Sequence, residues 1–283
     1  MTQHVFSAPK HSLRKASLEL HEFTEETNSF MEEWVKIIQE EVSRDDYEGA
    51  LITIESNMNE LIYDYKELER NKDNEPEEEY SAKVKELKTN IRFLTFYKLS
   101  MKVWIQVWSY RMSKDPKDLE LSASLANILV LPPVHEEVKK IFYWIAIDEN
   151  MHIKNYKVAL KLLYSFEKQI KNINEVESER LEKFKVICNE HKEDSKHRFE
   201  SVVCPKWSEH LPFGHATPSC SGCNTKILFW NETLVPLVPE TAIRCYICFA
   251  TYDKDNYRLF IPNDPSLCPN CRFGKLKSVL KMK

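Results

Sequence analysis

The sequence predicts a mainly α-helical protein, a helix-pair solenoid over residues 1–200 followed by a small cysteine-knuckled domain over residues 201–283. Three observations carry this. Of the four glycines only Gly49 lies before position 204, and folds rich in tight turns need glycine where φ is positive. Apolar residues upstream recur at helical spacing between short polar breaks. From residue 204 onward the composition changes: eight of the thirteen prolines and seven of the eight cysteines lie there.

Taken in order, "FMEEWVKIIQEEV" sets Phe30, Trp34, Ile37 and Ile38 on one stripe, the spacing of an amphipathic helix. The stretch 92–112, "RFLTFYKLSMKVWIQVWSYRM", is apolar almost all round and predicts a buried central helix, with Trp104 and Trp108 as core or helix-pair packing. "HEEVKKIFYWIAIDENMHI" and "NYKVALKLLYSFEKQI" predict a pair of helices joined by a short polar turn. Asn174 caps a charged helix, "EVESERLEKFKVICNEHKEDSKHRF", that runs up to the cysteine-rich region. Breaks are expected at 71–79, 113–120 and 132–134, with the acidic run "EPEEE" as a solvated loop.

Two stretches echo each other, "DDYEGALITI" (45–54) and "KNYKVALKLL" (154–163). Their tyrosines stand 109 residues apart, about three tetratricopeptide periods of ~34 residues. In helix-pair repeats a small alanine lets neighbouring helices approach closely while an aromatic ring fills the gap. Tyr-x-x-Ala-Leu also occurs in ordinary amphipathic helices, so the echo alone leaves both readings open.

Charge bounds the partners. Residues 1–203 carry 30 basic and 38 acidic side chains and residues 204–283 carry 10 and 6, so a mildly basic end follows an acidic body of net −8. The whole chain, at −4, has no global pull toward nucleic acid or acidic lipid. The N-terminus has no apolar core of a secretory signal. The longest apolar run, around "LANILVLPPV", is far short of the roughly 20 residues needed to span a bilayer. Without an export signal, paired cysteines point to metal and not to disulfides, and the sequon at Asn231 is a chance match.

The thiols carry the clearest chemistry. Cys245, Cys248, Cys268 and Cys271 form two Cys-x-x-Cys pairs separated by nineteen residues. Each such turn offers two thiolates, and two turns at this spacing make a zinc-ribbon-type site. A third pair, Cys220 and Cys223, needs two further ligands; Cys204 with one of His210 and His215 would complete a second site. Two structural zinc ions are therefore expected. Cys188, inside a helix, is expected to be a buried apolar residue. A catalytic zinc keeps one position open and has a carboxylate base nearby, and neither cysteine set has that form.

Other chemistry finds less support. Glu149-x-x-His152 shares a helix face as in di-iron bundles, but these need a second copy of the motif, so a solvated polar face is the expectation. Gly-rich phosphate loops, Gly-x-Ser-x-Gly and His-Glu-x-x-His do not occur. No catalytic residue is therefore assigned.

The order of features, helix pairs, then "CPKW…LPFGHATPSCSGC", a 21-residue spacer, "CYIC", nineteen residues and "CPNC", resembles the C-terminal region of the WD-repeat/tetratricopeptide subunits of intraflagellar-transport complex A, of the WD-repeat protein 19 type, and more distantly coatomer α. Trp207 stands where family members usually carry cysteine, and no WD-repeat propeller precedes the helices, which suits a split chain or a small stand-alone relative. The resemblance implies a non-enzymatic scaffold or adaptor in a ciliary transport or coat-like complex, located in the cytoplasm and the cilium or basal body. Its partners would be other protein subunits, with no nucleic acid, no transmembrane segment and only indirect membrane association. The rival expectation is a RING-like ubiquitin ligase subunit, whose ligand pairs would interleave.

Overall fold

The structure, a computed structural model, describes residues 29–44, 46–74, 76–113, 115–132, 134–194, 200–203, 210–212, 228–229, 236–237, 239–248, 250–256, 267–271 and 274–279. Seven α-helices occur among them: α1 (Ser29–Ser43), α2 (Tyr47–Arg70), α3 (Glu77–Arg111), α4 (Pro116–Leu129), α5 (Glu136–His152), α6 (Tyr156–Gln169) and α7 (Glu175–His191). Each packs chiefly on its neighbours in sequence, with a lesser contact between α1 and α5. That is solenoid packing, in which burial is shared between successive helices.

Local chemistry sets the helix starts. Asp46 accepts from Gly49 N at 2.9 Å and caps α2; a Cβ on Gly49 would lie 2.5 Å from Asp46 Oδ2. Asp115 accepts from Lys117 N ahead of Pro116, which fills the first helical position of α4. Asn174 and Glu177 form a reciprocal capping box at α7. The breaks at 71–79, 113–120 and 132–134 separate α2 from α3, α3 from α4 and α4 from α5. Two parts of them differ from expectation: residues 116–120 already belong to α4, which Pro116 begins, and the acidic run is helical too. Glu77, Glu78 and Glu79 are the first turn of α3, not a loop. Carboxylates there face the positive end of the helix dipole, which favours starting the helix on the acidic run.

Two further corrections concern helix faces. The buried side of α1 is Trp34, Val35, Ile38 and Val42, and Ile37 is 42% exposed. The stripe is centred further round the helix, on Val35 and Val42. In α3, Trp104 is buried among Tyr47 and Phe142, whereas Trp108, four residues on, is 47% exposed beside Arg111.

The echoed tyrosines occupy matching places. Tyr47 opens α2 and packs on Trp104 of the next helix, with ring centroids 3.9 Å apart. Tyr156 opens α6 and packs on His191 of the next helix at 5.4 Å. Ala50 and Ala159 are both fully buried, as close helix approach requires.

Beyond the helices the described residues form short strands. β1 (Glu200–Val203) pairs antiparallel with β2 (His210–Pro212) and lies against α4. β3 (Leu228–Phe229) pairs with β4 (Pro236–Leu237). β5 (Ala242–Cys245) lies between β6 (Thr251–Asp253) and β7 (Leu276–Ser278) in an antiparallel sheet of order β6-β5-β7. One contiguous apolar cluster runs from the helices into this sheet, taking in Leu94, Ile247, Tyr252 and the four knuckle cysteines. No helix among the described residues is long and apolar enough to cross a membrane.

Candidate metal centre

The two Cys-x-x-Cys turns sit at matching ends of short hairpins. The first links β5 to β6 and is closed by Cys245 N donating to Ala250 O at 3.0 Å. The second leads into β7 and is closed by Cys268 N donating to Gly274 O at 2.7 Å. β5 and β7 are directly paired, with Cys245 opposite Leu276, so the sheet brings the two turns face to face.

Their four sulfurs converge. Cys245 Sγ lies 3.6 Å from Cys271 Sγ, Cys248 Sγ lies 3.6 Å from Cys268 Sγ, and all four sit within 4.8 Å of one another. A tetrahedral zinc with bonds of about 2.3 Å puts its sulfurs about 3.8 Å apart, so the arrangement can hold such an ion. The cysteines are free, and the 3.6 Å separations exceed a disulfide bond of about 2.05 Å. All four are at most 1% exposed.

Backbone and side-chain groups point at the sulfurs. Ile247 N and Cys248 N lie 3.3 and 3.5 Å from Cys245 Sγ, and Gly274 N lies 3.3 Å from Cys271 Sγ. Such donors offset negative charge on thiolates. Tyr252, fully buried, has its hydroxyl 3.4 Å from Cys268 Sγ. Burial pushes the Cys248 and Cys268 thiols up, while hydrogen bonds from Cys245, Cys248 and Cys268 hold Cys271 down. The cluster therefore holds protons that a divalent cation would displace on binding.

Helix α3 supports the site from outside the sheet. Arg92 Nε donates to Ile247 O at 2.8 Å, and Asn270 Nδ2 donates to Thr95 Oγ1 at 3.3 Å. Arg92, Thr95, Tyr252, Asn270 and Gly274 were not legible as site residues beforehand. Only Gly274 left a signal: it is one of four glycines and follows the second knuckle. A Cβ there would lie 2.2 Å from Cys245 Sγ, so the turn needs a residue without a side chain.

Consecutive pairs share this site, Cys245/Cys248 with Cys268/Cys271. An interleaved scheme would have sent the two pairs to different ions. Cys204, Cys220, Cys223 and His215, the other expected ligands, lie outside the described residues. His210 begins β2, and its side chain likewise lies outside them. Cys188 is fully buried as expected, 3.3 Å from Met151 Sδ, and burial pushes its thiol up to about 11.

Glu149 corrects another expectation. It is 1% exposed, not solvated, and accepts from Ser122 Oγ at 2.8 Å while Arg111 lies 3.1 Å away. Small residues on α4 let α5 approach closely enough to enclose the carboxylate, and Arg111 offsets its charge. His152, its motif partner, is exposed. Among the described residues the four-cysteine set is the one cluster suited to a metal ion.

No family model matches the chain, and no curated protein matches it significantly.

Proposed function

We propose that the protein is a non-enzymatic scaffold or adaptor subunit of ciliary intraflagellar-transport complex A, or of a related coat-like trafficking assembly, with zinc as a structural element. The observation that carries this is the closed thiol set fastened to the longest helix. Four buried cysteines supply every ligand a tetrahedral ion takes, which suits a brace, since a catalytic ion keeps a position for water. Arg92 ties the first knuckle to α3, so metal binding would stiffen the end of a solenoid whose faces receive partner helices. A second zinc on Cys204, Cys220, Cys223 and either His210 or His215 belongs to the same proposal, as do the cytoplasmic and ciliary location. The resemblance in knuckle order supports the choice of assembly. Consecutive pairing of the knuckles favours the brace over a ligase with interleaved ligands.

Affinity purification of the tagged chain from ciliated cells tests this. Subunits of the transport complex should co-purify, and Cys268→Ser should weaken that association while the helices stay folded. Intact assembly with the zinc module unfolded would overturn the brace. Ubiquitin transfer by purified chain, lost on changing surface residues that spare folding, would replace it with the ligase.

A further inference from the structure

We infer that Asn270 is a positioning residue that couples the metal centre to helix α3, making metal binding and docking of the sheet one equilibrium. This deepens the structural-metal reading and rests on it. One side-chain amide serves both sides: Nδ2 lies 3.3 Å from Thr95 Oγ1 and 3.6 Å from Cys248 Sγ. Thr95 gives its only hydroxyl proton to Ile91 O at 2.8 Å, so toward Asn270 it can only accept. The amide's two hydrogens are thus divided between a helix residue and a metal-ligating sulfur. Asn270 N donates to Tyr252 Oη at 3.1 Å, and that hydroxyl also touches Cys268 Sγ at 3.4 Å. The knuckle turn is held from both ends of one residue.

Burial gives the link its force. Thr95, Asn270 and Cys248 are 3%, 9% and 0% exposed, so water does not readily replace a lost partner. An ion held by the four sulfurs fixes Cys248 Sγ in place, and with it the Asn270 amide that Thr95 receives. Coupling of this kind is reciprocal. Weakening the Thr95 end therefore lowers metal affinity, although Thr95 touches no sulfur by this route.

The test titrates zinc against a chelator in the full chain and reads loading of this site from hydrogen exchange at the Ile247 and Gly274 amides. Thr95→Val keeps the branched shape and removes the acceptor; Thr95→Ser keeps the acceptor and removes the methyl. Thr95→Val should lower zinc affinity about tenfold and Thr95→Ser should leave it within about twofold. Unchanged affinity in Thr95→Val, or an equal loss in Thr95→Ser, overturns the coupling. A second reading uses Asn270→Ala at saturating zinc. In the unaltered chain zinc should slow exchange of the α3 amides around Thr95, and in Asn270→Ala that protection should vanish. Protection retained by the variant, or missing from the unaltered chain, also overturns it. Failure of the unaltered chain to take up zinc at all would instead sink the metal reading itself.

Discussion

Arg92 Nε donates to the carbonyl oxygen of Ile247 across 2.8 Å, joining helix α3 to the turn between Cys245 and Cys248 of the candidate metal centre. The second guanidinium contact, to Tyr246 O at 3.5 Å, is longer. Arg92→Met keeps the apolar stem and removes both donors. It should lower the unfolding free energy of the metal-loaded protein by about 2 kcal/mol, the range for a hydrogen bond from a charged donor. Denaturant unfolding checks this, and an unchanged midpoint would show that the sheet docks without it.

Gly274 permits the approach of the two knuckles. Gly274→Ala would bring a Cβ within 2.2 Å of Cys245 Sγ and 3.2 Å of Ile247 Cβ. Neither atom is the far end of a flexible chain, so the sulfur must leave its position. Zinc affinity should fall at least about a hundredfold, the upper range for residues that orient ligands. Chelator competition measures it.

Metal content separates the near site from the upstream one. Elemental analysis should give about two zinc ions per chain, at four ligands each. A value near one would remove the upstream set, and a value near zero would remove the metal reading. Chelation should unfold the C-terminal sheet and leave most helical circular dichroism, because small metal modules take much of their folding free energy from the ion.

Tyr97 should give the protein an alkaline limit. Burial pushes its hydroxyl well above the usual tyrosine value, with a smaller opposing effect from the His135 N–H, which donates to Tyr97 Oη at 3.0 Å. Because the folded value lies above the unfolded one, this stability is complete below about pH 10 and is lost as pH rises further. Tyr97→Phe should cost about 1–2 kcal/mol at pH 7 by removing the buried hydroxyl to which the His135 N–H donates. Unfolding curves of the two proteins should converge above that pH.

Glu149→Ala should destabilise the helical body by about 2–3 kcal/mol, since Ser122 Oγ and Arg111 lose a buried acceptor. Thermal unfolding measures the loss. A surface carboxylate removed in the same way would cost about 0.5 kcal/mol or less.

What could be read from the sequence was what neighbouring residues decide among themselves. Helix breaks follow from Pro76, from Asp115 ahead of Pro116 and from the Asn174–Glu177 box, all within a turn of the backbone they shape. The four converging cysteines were also legible, because 27 residues contain them and a Cys-x-x-Cys turn fixes two sulfurs by its own geometry. The tyrosine–alanine echo was visible for the same reason, and the structure places both tyrosines at helix starts and both alanines in the core.

Burial and long-range partnership were decided by the tertiary structure. Ile37 and Trp108 look as apolar as Ile38 and Trp104, yet their exposure differs, and the packing of neighbouring helices decides which is covered. Glu149 looked like a solvated residue until α4 and Arg111 enclosed it. Thr95 and Asn270 stand 175 positions apart, and no local spacing relates them. A hydrogen bond depends on position in space, and the sequence states that position only where the chain between two residues is short.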